Sequence, residues 1–399
     1  MAALLAVLSV GVLASSHATA QPALCSALPN PVFIQVGSTL LPLLRQMARK
    51  LRDSTLDPMT VVFTDGRSCA MIDAIRSGTP LVGNLSYAPS TAEDPTWTPD
   101  RPLVTCTTGP GGVPLQMIHS DVFVESCTSE PLPPGIGVFT GPVLPFVFVT
   151  SPGSSQQAIT AEEAYFAFGF GQVGSAAPWV DESFLFARPN TSGTKITFGA
   201  NIGVPANRWK GAQLEKTTDV VNAVAASVSP EATLGIVGGS DYDGNRDKLK
   251  ALAFRAFGQR YAFFPDSTPS AFDKRNVRDG HYLIWAPAVF LVAGADAAGV
   301  PAEPRIARLR AILRSEVPIP EAGFEATRMM VEGGFVPECA MGVKRTGQAG
   351  RLQLNRPGRP CGCFFEKVTG GSPSCAACTD DSMCEGGICN LGFCEANPQ

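Results

Sequence analysis

Four turns of the sequence carry side chains suited to holding an anion. Their residues are, in chain order, Gly37-Ser38-Thr39, Ser68, Ser120-Asp121, and Arg188 followed by Ser192-Gly193-Thr194. Hydroxyl groups donate hydrogen bonds, glycine lets a ligand approach the backbone, and a guanidinium can bind a tetrahedral oxyanion through two parallel bonds. The sequence has no G-x-x-x-x-G-K-[ST] loop, so nothing in it indicates nucleotide hydrolysis.

The elements around these turns form a repeating pattern of strand, turn and helix. The pattern occurs at 31–53, 59–78, 182–204 and 231–254, and a further strand within 114–126 breaks at Ser120-Asp121. We expect helices to begin near Ser68 and Ser192. Such units predict an α/β fold, in which ligands bind beyond the carboxyl ends of strands, where helices begin. One isolated Ser or Thr would more simply cap its helix, but four turns with the same donors favour a binding site.

Composition limits the classes of partner. The chain has 399 residues and a net charge of -4, so it is long enough for two sizeable cores and has no basic field to attract nucleic acid or an anionic membrane. Any anion must therefore be held by a few aimed donors. Beyond the N-terminus no run reaches the roughly 18–20 apolar residues that a membrane helix needs. The best candidate, 283–300, contains Pro287 and Asp296 and is predicted to be a buried strand and loop.

The N-terminus and the cysteines indicate export. Residues 1–20 form an apolar run that ends in Ala-Thr-Ala, which predicts a signal peptide and a periplasmic or secreted protein, with a Gram-negative source expected. Twelve cysteines in an exported chain predict disulfides. They form two even groups, each able to pair within itself, although spacing does not settle the connectivity. The groups are Cys25, Cys69, Cys106 and Cys127, then Cys339, Cys361, Cys363, Cys375, Cys378, Cys384, Cys389 and Cys394.

From about residue 355 the chain becomes rich in Cys, Gly and acidic residues. We predict a small disulfide-stapled tail at 356–399, too short to fold on an apolar core alone. A zinc site at Cys375 and Cys378 is disfavoured by the oxidising compartment and the absence of nearby His.

The motifs V-G-S-T-L-L-P-L, the serine turn at Ser68, the strand ending in Ser-Asp and R-x-x-x-S-G-T, in this order, resemble the periplasmic phosphate-binding proteins of ABC importers. The resemblance covers about residues 30–290 and extends to about 345 if the chain returns to the first lobe. It implies a type II solute-binding fold of two α/β lobes joined by a hinge: 21–150 with 285–355, and 151–284. It also implies a monomer that has no cofactor, metal or enzymatic activity and that works with an ABC permease.

The resemblance further implies the ligand-binding residues. These are Ser38, Thr39, Leu40, Ser68, Arg188, Ser192, Gly193 and Thr194. For the family's ligand aspartate the sequence offers Asp121, after an insertion at 79–113, or Tyr87 in its place. We favour Asp121, with Cys106 and Cys127 forming a disulfide around that segment. An ionised aspartate only accepts hydrogen bonds and so favours phosphate, which carries a proton, over sulfate. If Tyr87 takes the place of the aspartate, the identity of the ligand stays open.

Three other features could carry chemistry. His119 adjoins Ser120, but neighbours on a strand face opposite sides and no G-x-S-x-G motif exists, which argues against a hydrolase. His281 is predicted to lie in a packed hinge, with cleft lining as the alternative. The segment "SDYDGNRD" at 240–247 reads either as a calcium loop or as a turn that caps a helix over "RDKLKALAF".

The predicted function is capture of a tetrahedral oxyanion, most of all phosphate, between two lobes for uptake or sensing. The alternative is a secreted or surface interaction protein that keeps the fold and binds a partner through its Cys-rich tail.

Overall fold

The computed structural model describes residues 22–316 and 324–396, so the predicted signal peptide lies outside the described residues. Within these ranges, no helix has the length and apolar character needed to cross a membrane. The strands are β1 (Pro31–Gly37), β2 (Thr60–Gly66), β3 (Asn84–Tyr87), β4 (Val104–Thr107), β5 (Met117–Ser120), β6 (Ile136–Thr150), β7 (Ala158–Thr160), β8 (Leu185–Ala187), β9 (Ala212–Gln213), β10 (Leu234–Gly238), β11 (Lys250–Ala251), β12 (Ala253–Arg255), β13 (Trp285–Ala293), β14 (Val343–Lys344), β15 (Gln353–Leu354), β16 (Ile388–Asn390) and β17 (Phe393–Glu395). The α-helices are α1 (Leu41–Arg52), α2 (Ser68–Arg76), α3 (Ala161–Phe170), α4 (Gly193–Ile202), α5 (Thr217–Ala225), α6 (Gly239–Asp243), α7 (Arg275–Arg278), α8 (Pro304–Leu313), α9 (Ala326–Glu332) and α10 (Gly362–Val368).

An 11-stranded sheet runs through the molecule in the order β4-β3-β2-β1-β5-β13-β6-β10-β8-β9, with β11 also paired to β6. The long strand β6 belongs to both halves of this sheet. Its first part, up to Pro145, pairs with β13, and its last part, from Phe146, pairs with β10 and β11. We call the half with β1–β5 and β13 the first lobe and the half with β8–β11 the second lobe. The structure thus confirms the predicted two-lobed α/β fold.

Most of the predicted strand–turn–helix units form as expected. In α1, Leu44, Met47 and Leu51 recur at helical spacing and are buried against the first lobe's sheet. The units β2–α2 and β8–α4 likewise begin their helices at or next to the predicted serines.

The helix predicted over "RDKLKALAF" is wrong. The residues form a turn followed by β11 and β12, and the five-residue helix α6 ends earlier, at Asp243. The reason is tertiary, because Ala251 pairs with β6 while Leu252 and Phe254 are buried in the second lobe's core. Sheet pairing and burial override the modest helix propensity of this stretch.

The chain passes from the second lobe to the first through a packed segment, although His281, which was predicted to be packed there, is exposed. The Tyr282 hydroxyl donates a 2.5 Å hydrogen bond to the Phe146 carbonyl oxygen in β6. Trp285 is buried under the Arg345 guanidinium, 3.9 Å from the ring centre, and the same guanidinium donates to the Trp285 carbonyl at 3.1 Å. His281 itself is exposed beside Asp279 and stacks on Phe263.

All twelve cysteines form disulfides, and each predicted group pairs within itself. The bonds are Cys25–Cys106, Cys69–Cys127, Cys339–Cys361, Cys363–Cys375, Cys378–Cys389 and Cys384–Cys394. The predicted Cys106–Cys127 bond is therefore wrong. The N-terminal segment runs beside β4, where the Thr107 amide donates to the Ala23 carbonyl at 2.9 Å, and this brings Cys25 to Cys106. Cys375 and Cys378 each pair elsewhere, so neither thiolate is free for zinc.

The Cys-rich tail is anchored to the body. Phe364 and Phe365 of α10 are buried in the main core, and α10 packs against α9. The Glu395 carboxylate accepts hydrogen bonds from the Cys363 and Phe364 amides at the start of α10. The tail is thus disulfide-rich, as predicted, and shares part of the body's apolar core.

Candidate anion-binding site

In the first lobe, three of the predicted turns meet at one edge of the sheet. Strand β1 is parallel to both β2 and β5, so their carboxyl ends lie side by side. The Thr39 hydroxyl donates a short hydrogen bond to the Asp121 carboxylate, and the Asp121 amide donates to the Ser68 hydroxyl oxygen at 3.1 Å. All three residues are buried. Residues distant in sequence therefore form one hydrogen-bonded group.

These hydroxyls do not cap helices. The residues at the N-cap positions of α1 and α2 are Leu40 and Arg67, and neither makes a side-chain capping bond. Ser38 is half-buried, and the Leu40 amide, predicted as a ligand donor, donates to the Gly37 carbonyl at 3.2 Å within the turn. The capping explanation of the serine and threonine pattern is therefore insufficient here.

His119 lies next to this group and contacts Gly37 and Asp121. Its Nδ1 accepts a hydrogen bond from the Gly37 amide at 3.2 Å, and its Nε2 lies 3.5 Å from the Asp121 carboxylate. Complete burial lowers the pKa of His119 to about 3, so the ring is neutral at physiological pH. The Ser120 hydroxyl donates to the Val122 carbonyl at 2.8 Å, which is inconsistent with a Ser–His catalytic pair.

Tyr87 lies elsewhere. It is buried in β3, and the Arg52 guanidinium covers its ring at 4.7 Å. The insertion that contains it continues into β4 at the edge of the sheet. Of the two candidates, the structure brings Asp121 and not Tyr87 to the turns that carry Thr39 and Ser68.

In the second lobe, Arg188 and the start of α4 face these turns. Ser192 is the N-cap residue of α4 but makes no side-chain capping bond, and both it and Thr194 are buried. Buried Lys195 donates from Nζ to the Asn190 side-chain oxygen at 2.8 Å, which fixes the loop between Arg188 and Ser192. A helix N-terminus with free amides and hydroxyls is suited to an anion.

Gly193 marks the contact between the lobes. A methyl group on its α-carbon would lie 2.5 Å from the Ser68 hydroxyl oxygen and 2.6 Å from the Asp121 β-carbon. The Thr197 hydroxyl also reaches across and donates to the Asp121 carbonyl at 3.4 Å. Residues of the two lobes therefore touch at this point.

Two further contacts join the lobes around the site. The Gln348 side chain donates to the Thr197 hydroxyl at 2.9 Å and accepts from the Phe123 amide at 3.4 Å. At the surface, Arg67 forms an ion pair with Glu215. Because both partners are well exposed, this pair contributes on the order of 0–1 kcal/mol.

Arg188 is a buried cation that lies near several carboxylates. Arg188 is 6% exposed and donates to the Leu214 carbonyl at 3.2 Å, but its Nε has no partner. Burial lowers the pKa of Arg188, while the Asp241 and Asp121 carboxylates act in the opposite direction. Burial raises the pKa of Asp121 to about 6, against the Thr39 hydrogen bond and the Arg188 charge. Burial likewise raises the pKa of Asp241 to about 7, against the Arg188 charge.

Asp241 is the acidic residue that sequence reasoning missed. It follows β10 in the predicted strand–turn–helix unit at 231–254, so the same pattern that revealed the other turns could have revealed it. The calcium-loop alternative is not supported, because Asp243 is ion-paired with Lys274 at 2.8 Å and with Arg246. Asp241 and Asp243 thus belong to two different clusters.

No protein-family model matches the sequence, and no curated protein sequence does. Among solved structures, the chain is similar to an ABC-type phosphate transport receptor from Vibrio cholerae, with 14% identity, 76% of this chain and 99% of that chain covered, and a TM-score of 0.47. It is also similar to PstS from Borrelia burgdorferi (12% identity, 77% and 99% covered, TM-score 0.43). A third similar structure is the reduced OxyR regulatory domain from Pseudomonas aeruginosa (9% identity, 76% and 96% covered, TM-score 0.37). At these values the similarity concerns the general α/β arrangement alone.

Proposed function

We propose that this protein is an exported solute-binding protein that captures a tetrahedral oxyanion between its two lobes. The favoured ligand is phosphate. The observation that carries the proposal is the meeting of Thr39, Ser68 and Asp121 of the first lobe with Arg188 and the start of α4 from the second. Six disulfides suit an oxidising compartment and therefore an exported chain. Uptake through an ABC permease is the role we propose for the captured anion.

Binding in this proposal involves no bond-making. Arg188 supplies a planar fork of donors, and the α4 N-terminus adds amides and the Ser192 and Thr194 hydroxyls. In a buried site such bonds are stronger than in water, because the effective dielectric constant is lower. Since the donors come from both lobes, the anion binds the closed form more tightly and shifts the population toward it.

Asp121 would select among anions. Its ionised carboxylate can only accept hydrogen bonds, so a ligand oxygen beside it must carry a proton. Phosphate at neutral pH has such a proton, whereas sulfate does not. We therefore propose tighter binding of phosphate than of sulfate above the pKa of Asp121.

Isothermal titration calorimetry of the purified protein against phosphate and sulfate tests the function, with Arg188→Ala as the decisive variant. Removing a buried charged donor costs about 2–5 kcal/mol, so the phosphate dissociation constant should rise about 30-fold or more. Arg208→Ala, an exposed arginine of the same lobe, should leave the affinity unchanged. Unchanged phosphate affinity in Arg188→Ala, or no anion bound by the wild type, would contradict the proposal.

A further inference from the structure

Asp241 faces the first lobe across the cleft. Strand β10 is parallel to β8, so the residues that follow the two strands, Asp241 and Arg188, lie at the same edge of the sheet. A methyl group placed on Gly238 would be 2.8 Å from the Asp241 Oδ2 and 3.4 Å from the Thr39 γ-methyl. The Asp241 carboxylate and Thr39 therefore flank the same point at the lobe contact.

The Asp241 Oδ2 is buried without a hydrogen-bond partner, and so are the Nε atom of Arg188 and the Nε2 atom of His119. Across the described ranges, no ion pair within 4 Å joins Arg188 to Asp241 or to Asp121, although these carboxylates are the arginine's main electrostatic neighbours. Buried opposite charges normally pair directly, because each unpaired ion keeps its desolvation cost. Direct pairing therefore does not neutralise these charges, and hydrogen-bonding atoms of Arg188 and Asp241 stay unused at the contact between the lobes.

Resting on the proposed function, we propose that Asp241 is a second specificity-determining residue of the site, which accepts a hydrogen bond from the bound anion as Asp121 does. With two acceptor carboxylates around one guanidinium, the complex needs two protons shared among the ligand and the two aspartates. The chemical class that satisfies this arrangement is an oxyanion able to carry two protons, such as the dihydrogen form of phosphate or arsenate.

Lys195, which bonds to Asn190 and whose pKa burial lowers to about 8, titrates in the same pH range, so only the difference in proton uptake between the wild type and Asp241→Asn is assigned to Asp241. The remaining ionisable groups nearby do not supply these protons. His119 is neutral and accepts at Nδ1 from the Gly37 amide. Glu215 is exposed and paired with Arg67 at the surface. On the helix of Asp241 itself, Asp243 is held by the cations of a separate cluster.

Proton balance follows directly. At pH 8.5 inorganic phosphate is mostly the monohydrogen dianion and brings one proton. A site with one acceptor carboxylate is satisfied by that proton, whereas a site with two must take up one more from the solvent. The number of protons taken up on binding therefore reports the number of acceptor carboxylates in the site.

The experiment is calorimetry with inorganic phosphate in buffers of different ionisation enthalpy. The wild type should take up about one proton at pH 8.5, and its affinity should fall about tenfold per pH unit between pH 8 and 9, as linkage requires. Asp241→Asn should take up about one proton fewer than the wild type and show a correspondingly flatter profile. Asp247→Asn, an exposed aspartate of the same segment, should behave as the wild type.

The outcomes separate the two proposals. Phosphate binding by the wild type without proton uptake, or equal uptake by the wild type and Asp241→Asn, would overturn the role of Asp241 and leave the binding function intact. No phosphate binding by the wild type at any pH would overturn the proposed function and this inference together. If Asp241→Asn fails to fold, as judged by circular dichroism, Asp241→Ser supplies a second variant and the wild-type uptake still decides.

Discussion

Replacing Gly193 with alanine should weaken anion binding by blocking closure of the lobes. Gly193 is the first residue of α4 and has no left-handed backbone conformation, so alanine fits the helix itself. The added methyl group would instead meet the other lobe, 2.5 Å from the Ser68 hydroxyl oxygen and 2.6 Å from the Asp121 β-carbon. The substitution therefore acts on the contact between lobes and not on the second lobe's own packing.

The size of the effect follows from these distances. Carbon atoms in contact normally lie about 3.5–4.0 Å apart, so the methyl group overlaps its neighbours by about 1 Å. Asp121 has little freedom to move, because its carboxylate is bonded to Thr39 and its amide to Ser68. Overpacking of this kind costs about 1–3 kcal/mol. Because the open form lacks the contact, the cost falls on the closed form, and the phosphate dissociation constant should rise about 5- to 150-fold.

Two measurements check this reasoning. Calorimetry gives the phosphate affinity, and small-angle X-ray scattering with and without phosphate reports closure as a change in the radius of gyration. Gly111→Ala is the matched control, since a methyl group there meets nothing within 4 Å. Urea unfolding without phosphate should give equal stabilities for both variants. If Gly193→Ala bound phosphate as tightly as the wild type and closed as fully, the assignment of this contact to the closed form would be refuted.

Two more predictions follow from the charges of the second lobe and the cleft. Sulfate affinity should rise as the pH falls, because a protonated Asp121 can donate a hydrogen bond to sulfate. With a pKa of about 6, the protonated fraction of Asp121 grows about 50-fold from pH 8 to pH 6. Calorimetry at both pH values measures this rise, and Asp121→Asn should bind sulfate more tightly at pH 8 than the wild type does at the same pH. Lys274→Met should lower the free energy of unfolding by about 3–5 kcal/mol in urea titration, because it leaves the buried carboxylates of Asp266 and Asp243 short of a cation. A loss below about 1 kcal/mol would show that Arg246 alone neutralises them.

The local pattern of the sequence was a good guide to the elements and to most of the turns. Apolar spacing in α1 and the serines before α2 and α4 predicted where strands end and helices begin, because these features depend on near neighbours. The helix expected over "RDKLKALAF" failed for the complementary reason. The spacing of its apolar residues does not distinguish a helix from a strand, and the pairing of Ala251 with β6 makes this part a strand.

Pairings between distant residues could not be predicted from spacing. The choice of Cys25 over Cys127 as the partner of Cys106 depends on where the N-terminal segment lies against β4. The placement of Asp121, and not Tyr87, beside Thr39 depends on the strand order, in which β5 lies directly next to β1. Asp241 escaped notice because its turn looks like an Asp/Asn-rich cap until β10 is seen beside β8.

By itself, the sequence determined the α/β units, the even cysteine groups and the hydroxyl, glycine and arginine residues of the turns. Each of these features depends on residues that lie close together in the sequence. Only the tertiary structure decided which of these residues meet. Thr39 and Asp121 are 82 positions apart, and Gly193 reaches Ser68 from the other lobe. Contacts of this kind are fixed by strand order and by the docking of two lobes, which many residues determine jointly and no short motif specifies.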